Sequence, residues 1–273
     1  MSELPPLVRV DWLRAHRNDP DLVVLDVVVG AAGRLRIPGA LEFDLDGRFS
    51  DPGIDLPHTM PAAEDFGRQV RSLGIDGSSR IVLYDTRGTY SSPRAWWMFR
   101  AMGHGSVSVL EGGLPAWMDA GGAVSTESGM ARRMGDFRER PEAGWFCDAD
   151  AVAEALEDPS CAVLDVRSRG RFAGTEPEPR SGLRPGHIPG SRNVPFTEFL
   201  HSGGFRSVGN LRGILAGVAG VRRRLVFSCG SGVTACIGAF AARTSGYEDV
   251  RVYDGSWSEW GRPSARTVAL GWA

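Results

Sequence analysis

Short apolar runs alternate with longer mixed stretches along this chain. The runs 22–27, 81–84 and 107–110 are rich in β-branched residues and bounded by turn formers. That is the pattern of strands buried in a parallel sheet, where both faces are covered and polar alternation is lost. The stretch 93–102 has helical length and follows a serine-rich start. Strands alternating with helices predict an α/β layered fold, each sheet mainly parallel and flanked by helices.

The pattern occurs twice. Leu22-Val23-Val24-Leu25-Asp26-Val27 returns as Cys161-Ala162-Val163-Leu164-Asp165-Val166, and Ile37-Pro38-Gly39-Ala40 as Ile188-Pro189-Gly190-Ser191. Arg80-Ile81-Val82-Leu83-Tyr84-Asp85 matches Arg224-Leu225-Val226-Phe227-Ser228-Cys229. Val109-Leu110-Glu111-Gly112-Gly113 matches Val252-Tyr253-Asp254-Gly255-Ser256, and Trp117 pairs with Trp260. The offset stays near about 140–150 residues, too long for a solenoid and right for duplicated domains. Two tandem domains are expected, 1–125 and 145–273. The stretch 126–144 is poor in aliphatic residues and rich in Arg, Glu and Gly, and reads as a linker.

Composition narrows the function. The chain has 273 residues, 42% hydrophobic, 23% charged, with a formal net charge of -2. Nothing here recruits nucleic acid or an anionic membrane. The cluster Arg222, Arg223, Arg224 reads as a solvated stretch before a buried strand. No apolar run nears the ~20 residues of a membrane span, and the start shows no secretory pattern. Four cysteines without a disulfide framework fit a reducing cytoplasm. All 31 basic residues are arginine. Without lysine, Schiff-base chemistry, pyridoxal phosphate attachment and a Gly-Lys-Ser/Thr phosphate loop are excluded. No Cys-x-x-Cys or dense histidine cluster suggests a metal.

The candidate chemistry lies in Phe227-Ser228-Cys229-Gly230-Ser231-Gly232-Val233-Thr234. An apolar strand ends at a cysteine, a glycine-rich turn follows, and a helical run begins near Ala235. Ligands of open α/β sheets bind beyond the carboxyl ends of the strands. Two glycines let consecutive N–H groups turn inward as an anion nest, and the helix N-terminus adds positive potential. Such a setting favours a thiolate over a thiol. An ordinary buried cysteine before a glycine turn is the bland alternative, and a lone cysteine would not outweigh it. Cys236, further along the helix, reads as a small core residue and only secondarily as a redox partner.

The segment resembles the Cys-Gly-Ser-Gly-Val-Thr signature of 3-mercaptopyruvate sulfurtransferases in the rhodanese superfamily. Tyr90-Ser91-Ser92-Pro93-Arg94-Ala95-Trp96-Trp97, Gly174-Thr175-Glu176-Pro177-Glu178-Pro179-Arg180, Gly186-His187-Ile188-Pro189-Gly190 and Tyr253-Asp254-Gly255-Ser256-Trp257 resemble the same family. The resemblance implies two rhodanese-like domains, only the second of them active. Asp85 at the first half's cysteine position agrees, because a carboxylate cannot take up sulfur. By resemblance, Cys229 carries a persulfide, and Ser231, His58 and Asp46 form a proton relay, with Asp44 or Asp55 as alternatives to Asp46. Arg171 and Arg180 hold the donor carboxylate, and Gly230, Gly232, Val233 and Thr234 line the loop. The implied reaction takes sulfur from 3-mercaptopyruvate, releases pyruvate, and passes the sulfur to a thiol, thioredoxin or cyanide without a cofactor. Trp96, Trp97, Trp257, Trp260 and His187 are expected to be structural.

Three rivals stand beside this expectation. A thiosulfate:cyanide sulfurtransferase would resemble Cys-Arg-Lys-Gly-Val-Thr, with two cations where this chain has Gly230 and Ser231. A cysteine phosphatase of related fold would want arginine where Ala235 stands. The third rival is a non-enzymatic sulfur relay or binding module.

Overall fold

The computed structural model describes residues 4–30 and 35–272. The chain forms two compact units. The first comprises Met1–Gly53, Met60–Ala143 and Ser202–Phe205, the second Ile54–Thr59, Gly144–His201 and Arg206–Ala273.

The first unit is built from β1 (Leu7–Val8), α1 (Val10–His16), β2 (Leu22–Val28), β3 (Leu41–Asp44), α2 (Ala63–Ser72), β4 (Arg80–Tyr84), α3 (Ser92–Ala101), β5 (Val107–Leu110) and α4 (Gly113–Asp119). Its strands lie in the order β1-β5-β4-β2-β3, and every pairing is parallel. The second unit carries β6 (Phe146–Cys147), α5 (Ala149–Glu157), β7 (Cys161–Asp165), α6 (Arg169–Ala173) and β8 (Arg192–Asn193). After the two-residue strands β9 (Leu200–His201) and β10 (Gly204–Phe205) come α7 (Val208–Ala219), β11 (Arg224–Ser228), α8 (Ala235–Thr244), β12 (Asp249–Tyr253) and α9 (Ser256–Trp260). Its sheet order, β6-β12-β11-β7-β8, is also wholly parallel. Element for element this repeats the first order, so the internal repeat is one of structure as well as of sequence.

Burial explains the near-continuous apolar runs. In the first unit Leu13, Val82, Tyr84, Leu110 and Trp117 close one core. Phe43, Phe49, Phe66, Phe99 and Phe137 build another from ring contacts 3.6 to 6.4 Å apart. The second unit packs Val152, Val163, Ile188, Val226, Tyr253, Trp257 and Trp260. The paired tryptophans do the same job twice: Trp117 Nε1 donates to Ala123 O at 2.8 Å, and Trp260 Nε1 to Thr267 O at 2.9 Å. A polar handle inside an apolar ring needs such a partner. Trp96, Trp97 and His187 are buried as well.

Two details differ from the sequence reading. The stretch read as a linker is a strap on the first unit. Gly129 N bonds Ala40 O, Gly135 N bonds Arg71 O, Arg140 N bonds Met102 O, and Phe137 is sunk in the aromatic core. Its low aliphatic content hid this, because one phenylalanine and main-chain hydrogen bonds do the anchoring. His58 lies in sequence within the first half, yet segment 54–59 belongs to the second unit. Arg224, from the arginine cluster, is ion-paired to Asp158 at 2.6 Å and Asp249 at 2.9 Å.

Candidate active site

Strand β11 ends at Ser228, and the loop from Cys229 to Thr234 leads into α8. Cys229 is 1% exposed. The loop is tied down from the far side by the start of α9. Trp257 N donates to Cys229 O at 3.0 Å, Ser258 N to Gly230 O at 2.9 Å, and Ser258 Oγ to the same oxygen at 2.6 Å. These bonds leave the inward-facing groups of the loop to be organised by one side chain, Ser256.

Ser256 is fully buried and sits in the left-handed region, φ 49°. That conformation is costly for a residue with a Cβ. Its hydroxyl accepts from Cys229 N at 3.2 Å and Gly232 N at 3.0 Å, donates to Tyr253 O at 2.8 Å, and lies 4.0 Å from Cys229 Sγ. The sequence reading had no role for it. The signal was available in the repeat, where Ser256 stands opposite Gly113, a glycine with φ 54°.

The remaining loop amides have a different character. The N–H groups of Gly230, Ser231, Val233 and Thr234 donate to no acceptor among the described residues. N–H groups without protein partners are uncommon, and a curl of them at a helix start is an anion-binding surface. Cys236 is wholly buried on α8, with its Sγ 3.2 Å from Gly232 O, so it packs under the loop.

His58 Nδ1 and Ser231 Oγ are 2.9 Å apart, with both residues buried. His58 itself is left-handed, φ 61°. The structure thus brings together His58 and Ser231 of the expected relay. Asp46 is an exposed turn residue of the first unit whose carboxylate accepts from Gly30 N. Asp44 Oδ1 accepts from Asp46 N and Gly47 N, both at 3.1 Å, and so braces that turn. Asp55 is fully exposed and pairs with Arg262 at 3.3 Å.

The two expected substrate arginines differ sharply. Arg180 is exposed and makes no hydrogen bond or ion pair among the described residues. Arg171 extends to the loop: a Cβ built on Gly230 would lie 3.0 Å from its Nη2. Its fork is held by Glu178, Nε to Oε1 at 3.2 Å and Nη2 to Oε2 at 2.6 Å. Glu178 also takes Nη1 of Arg167 at 2.7 Å, and Arg167 is bound by Asp165 at 2.6 Å and stacks on Trp257 at 4.2 Å. The side chains of Arg167, Asp165 and Glu178 are at most 4% exposed. Buried charges must be paired in this way.

Among the described residues no group of three or more His, Cys, Asp or Glu could hold a metal ion, and no helix is long and apolar enough to cross a membrane. All four cysteines are free thiols.

The rhodanese-like domain family matches residues 9–120 and again 148–263. The chain is 42% identical over 272 residues to the 3-mercaptopyruvate sulfurtransferase of Homo sapiens, covering 93% of this chain and 91% of that one. It is 37% identical over 274 residues to the thiosulfate sulfurtransferase of Rattus norvegicus, covering 94% and 92%. The crystal structure of SseA from Escherichia coli, described as showing the rhodanese fold and mechanism of 3-mercaptopyruvate sulfotransferases, superposes with a TM-score of 0.82 at 33% identity, over 94% of this chain and 100% of that one. The chain belongs to the rhodanese-like family and is a sulfurtransferase of two rhodanese domains.

Proposed function

We propose that Cys229 carries sulfur as a persulfide and that 3-mercaptopyruvate is the donor. The observation that carries the first part is the curl of unpartnered N–H groups around a buried cysteine. Thiolate and persulfide are both anions, so one set of donors from Gly230, Ser231, Val233 and Thr234 serves each half of the cycle. Gly232 gives the turn its left-handed step, φ 77°.

In the first half-reaction the Cys229 thiolate attacks the donor sulfur. A sulfur–sulfur bond forms, the carbon–sulfur bond breaks, and its electron pair leaves on carbon as pyruvate enolate. The donor's thiol proton leaves through Ser231 and His58, and a proton returns to the enolate carbon, giving pyruvate. The family resemblance supplies Asp46 as the carboxylate behind His58. In the second half-reaction an acceptor thiol, thioredoxin or cyanide removes the outer sulfur. Four free cysteines fit a reducing compartment, and we place the protein in the cytoplasm.

Donor choice rests on charge. Thiosulfate is a dianion, and the loop has no cation at Gly230 or Ser231. Arg171, reaching Gly230 from α6, and Arg180, without a partner among the described residues, supply two forks suited to one carboxylate. Thiosulfate remains the second reading because a rat thiosulfate sulfurtransferase matches at 37% identity. Steady-state rates with both donors, run side by side, decide between them. A higher kcat/KM with mercaptopyruvate supports the proposal, and a higher value with thiosulfate overturns the donor. Intact-mass analysis after donor treatment should place one added sulfur on Cys229.

A further inference from the structure

Glu178 has no part in the chemistry just described, yet its carboxylate is held by two arginines near the loop. Its two oxygens bridge Arg167 and Arg171, and its side chain is 4% exposed. Arg171 gives its Nε and Nη2 to Glu178, while its Nη1 makes no hydrogen bond among the described residues. Glu178 therefore fixes the planar fork through Nε and Nη2, with Nη2 lying nearest Gly230 and Nη1 left to donate elsewhere.

The same cluster has a defined charge. Asp165, Arg167, Glu178 and Arg171 alternate in sign along a continuous chain of ion pairs, two positive and two negative. The sum is zero. Arg171 thus offers hydrogen-bond donors at the loop with its net charge largely cancelled behind it. A dianion gains twice as much as a monoanion from an uncompensated cation at the same distance. Cancelling the charge while keeping the fork penalises a dianionic donor more than a monocarboxylate.

We infer that Glu178 is a positioning and specificity-determining residue: it aims Arg171 at the cysteine loop and neutralises it, and so sets the preference for a monocarboxylate donor over a dianionic one. This rests on reading the Cys229 loop as the sulfur-transfer site. Arg167 stays compensated without Glu178, because Asp165 holds it through Nε and Nη2. The loss of Glu178 is felt chiefly at Arg171.

The test is a donor ratio. In Glu178→Gln, kcat/KM for thiosulfate relative to mercaptopyruvate should rise about tenfold, the worth of one charged hydrogen bond. The change should sit in KM and shrink at high ionic strength. In an Arg171→Ala background the same substitution should leave the ratio unmoved, because the two residues act as one unit. A folded Glu178→Gln enzyme with an unchanged ratio, or the same shift without Arg171, overturns the inference. Glu178→Asp keeps the charge but stops one methylene short, and it decides the matter should the glutamine variant not fold. It should keep the wild-type ratio while KM for mercaptopyruvate rises several-fold, and an unchanged KM overturns the positioning role. A wild-type protein that turns over neither donor instead overturns the sulfur-transfer reading itself.

Discussion

The loops after β4 and β11 are the same structure put to opposite ends. In both, a strand delivers one residue to the start of a helix, Asp85 to α3 and Cys229 to α8. In both, the first turn of the next helix grips that residue's carbonyl: Leu114 N to Asp85 O and Trp257 N to Cys229 O, each at 3.0 Å. The interiors differ. Asp85 Oδ2 accepts from the N–H groups of Tyr90, Ser91 and Ser92 at 2.8 to 3.0 Å and from Ser92 Oγ at 2.7 Å, while Oδ1 accepts from Arg87 N at 2.9 Å. The first loop has filled its own anion nest with its own carboxylate. The second leaves the corresponding amides of Ser231 and Thr234 without an acceptor among the described residues. In the first loop this geometry holds negative charge, and on the proposed reading the second holds it too, with a reactive sulfur in place of a permanent carboxylate.

The sharpest way to break this comparison is to exchange the two solutions. Cys229→Ser and Cys229→Asp should each lower sulfur transfer at least about a thousandfold, since the nucleophile is gone. Their stabilities should diverge. If the second loop is an anion nest, the aspartate variant should resist urea better than the serine variant by about 1 kcal/mol through charge-assisted hydrogen bonds. Equal urea midpoints for the two would show that the loop does not hold an anion. In the first unit Asp85→Ala strips five donors of a buried acceptor, and about 3 kcal/mol of stability should be lost. Sulfur uptake by Cys229 in protein that remains folded should stay within about threefold of wild type. A large loss of uptake in that folded fraction would mean that the first loop does more than hold itself together.

Ser256 and Gly113 sharpen the comparison at smaller scale. A Cβ at Gly113 would collide with the carbonyl oxygens of Asp85 and Gly88, so the first loop closes onto a bare glycine. The second loop stands open enough for a serine, whose hydroxyl replaces main-chain closure with two hydrogen bonds to Cys229 N and Gly232 N. Ser256→Ala keeps the left-handed strain and loses the hydroxyl. It should lower kcat/KM about tenfold, the cost of leaving buried loop amides unpaired. Ser256→Gly loses the same bonds but relieves the backbone, and should be more stable than the alanine variant by about 1 kcal/mol. Should alanine and glycine prove equally stable, the strain at this position is not real.

Much of this was legible in the sequence. Apolar runs bounded by turn formers located β2, β4 and β5 within a residue, because strands buried on both faces carry no competing polar pattern. The repeat predicted two sheets of one topology, and the cysteine segment was recognisable from its motif. Contacts made at a distance were not legible. The strap holds through main-chain hydrogen bonds and Phe137, which composition does not reveal. Segment 54–59 carries His58 into the second unit against its order in the chain, and no local signal encodes that. Glu178 lay inside a quoted motif, yet only the fold shows it bridging two arginines.

The smallest expected effect concerns the cysteines of the second unit that lie away from the loop. Cys147 on β6 is partly buried, and Cys161 opens β7. Burial pushes the Cys147 thiol up to about 12, and burial raises that of Cys161 as well. A raised acid value means that the neutral thiol persists at a pH where an ordinary cysteine has begun to ionise, and the thiol is a poor nucleophile. Between pH 7 and 9 neither residue should compete with Cys229 for a sulfur donor or for a neutral alkylating agent. Cys147→Ser should therefore leave sulfur uptake within about twofold of wild type, as expected for a substitution outside the working loop. Peptide mapping after brief iodoacetamide treatment at pH 8 should place the label on Cys229. Label on Cys147 at that pH would mean that its surroundings favour the thiolate, and would remove the contrast between an inert sulfur kept from charge by burial and a reactive one lodged in an anion nest.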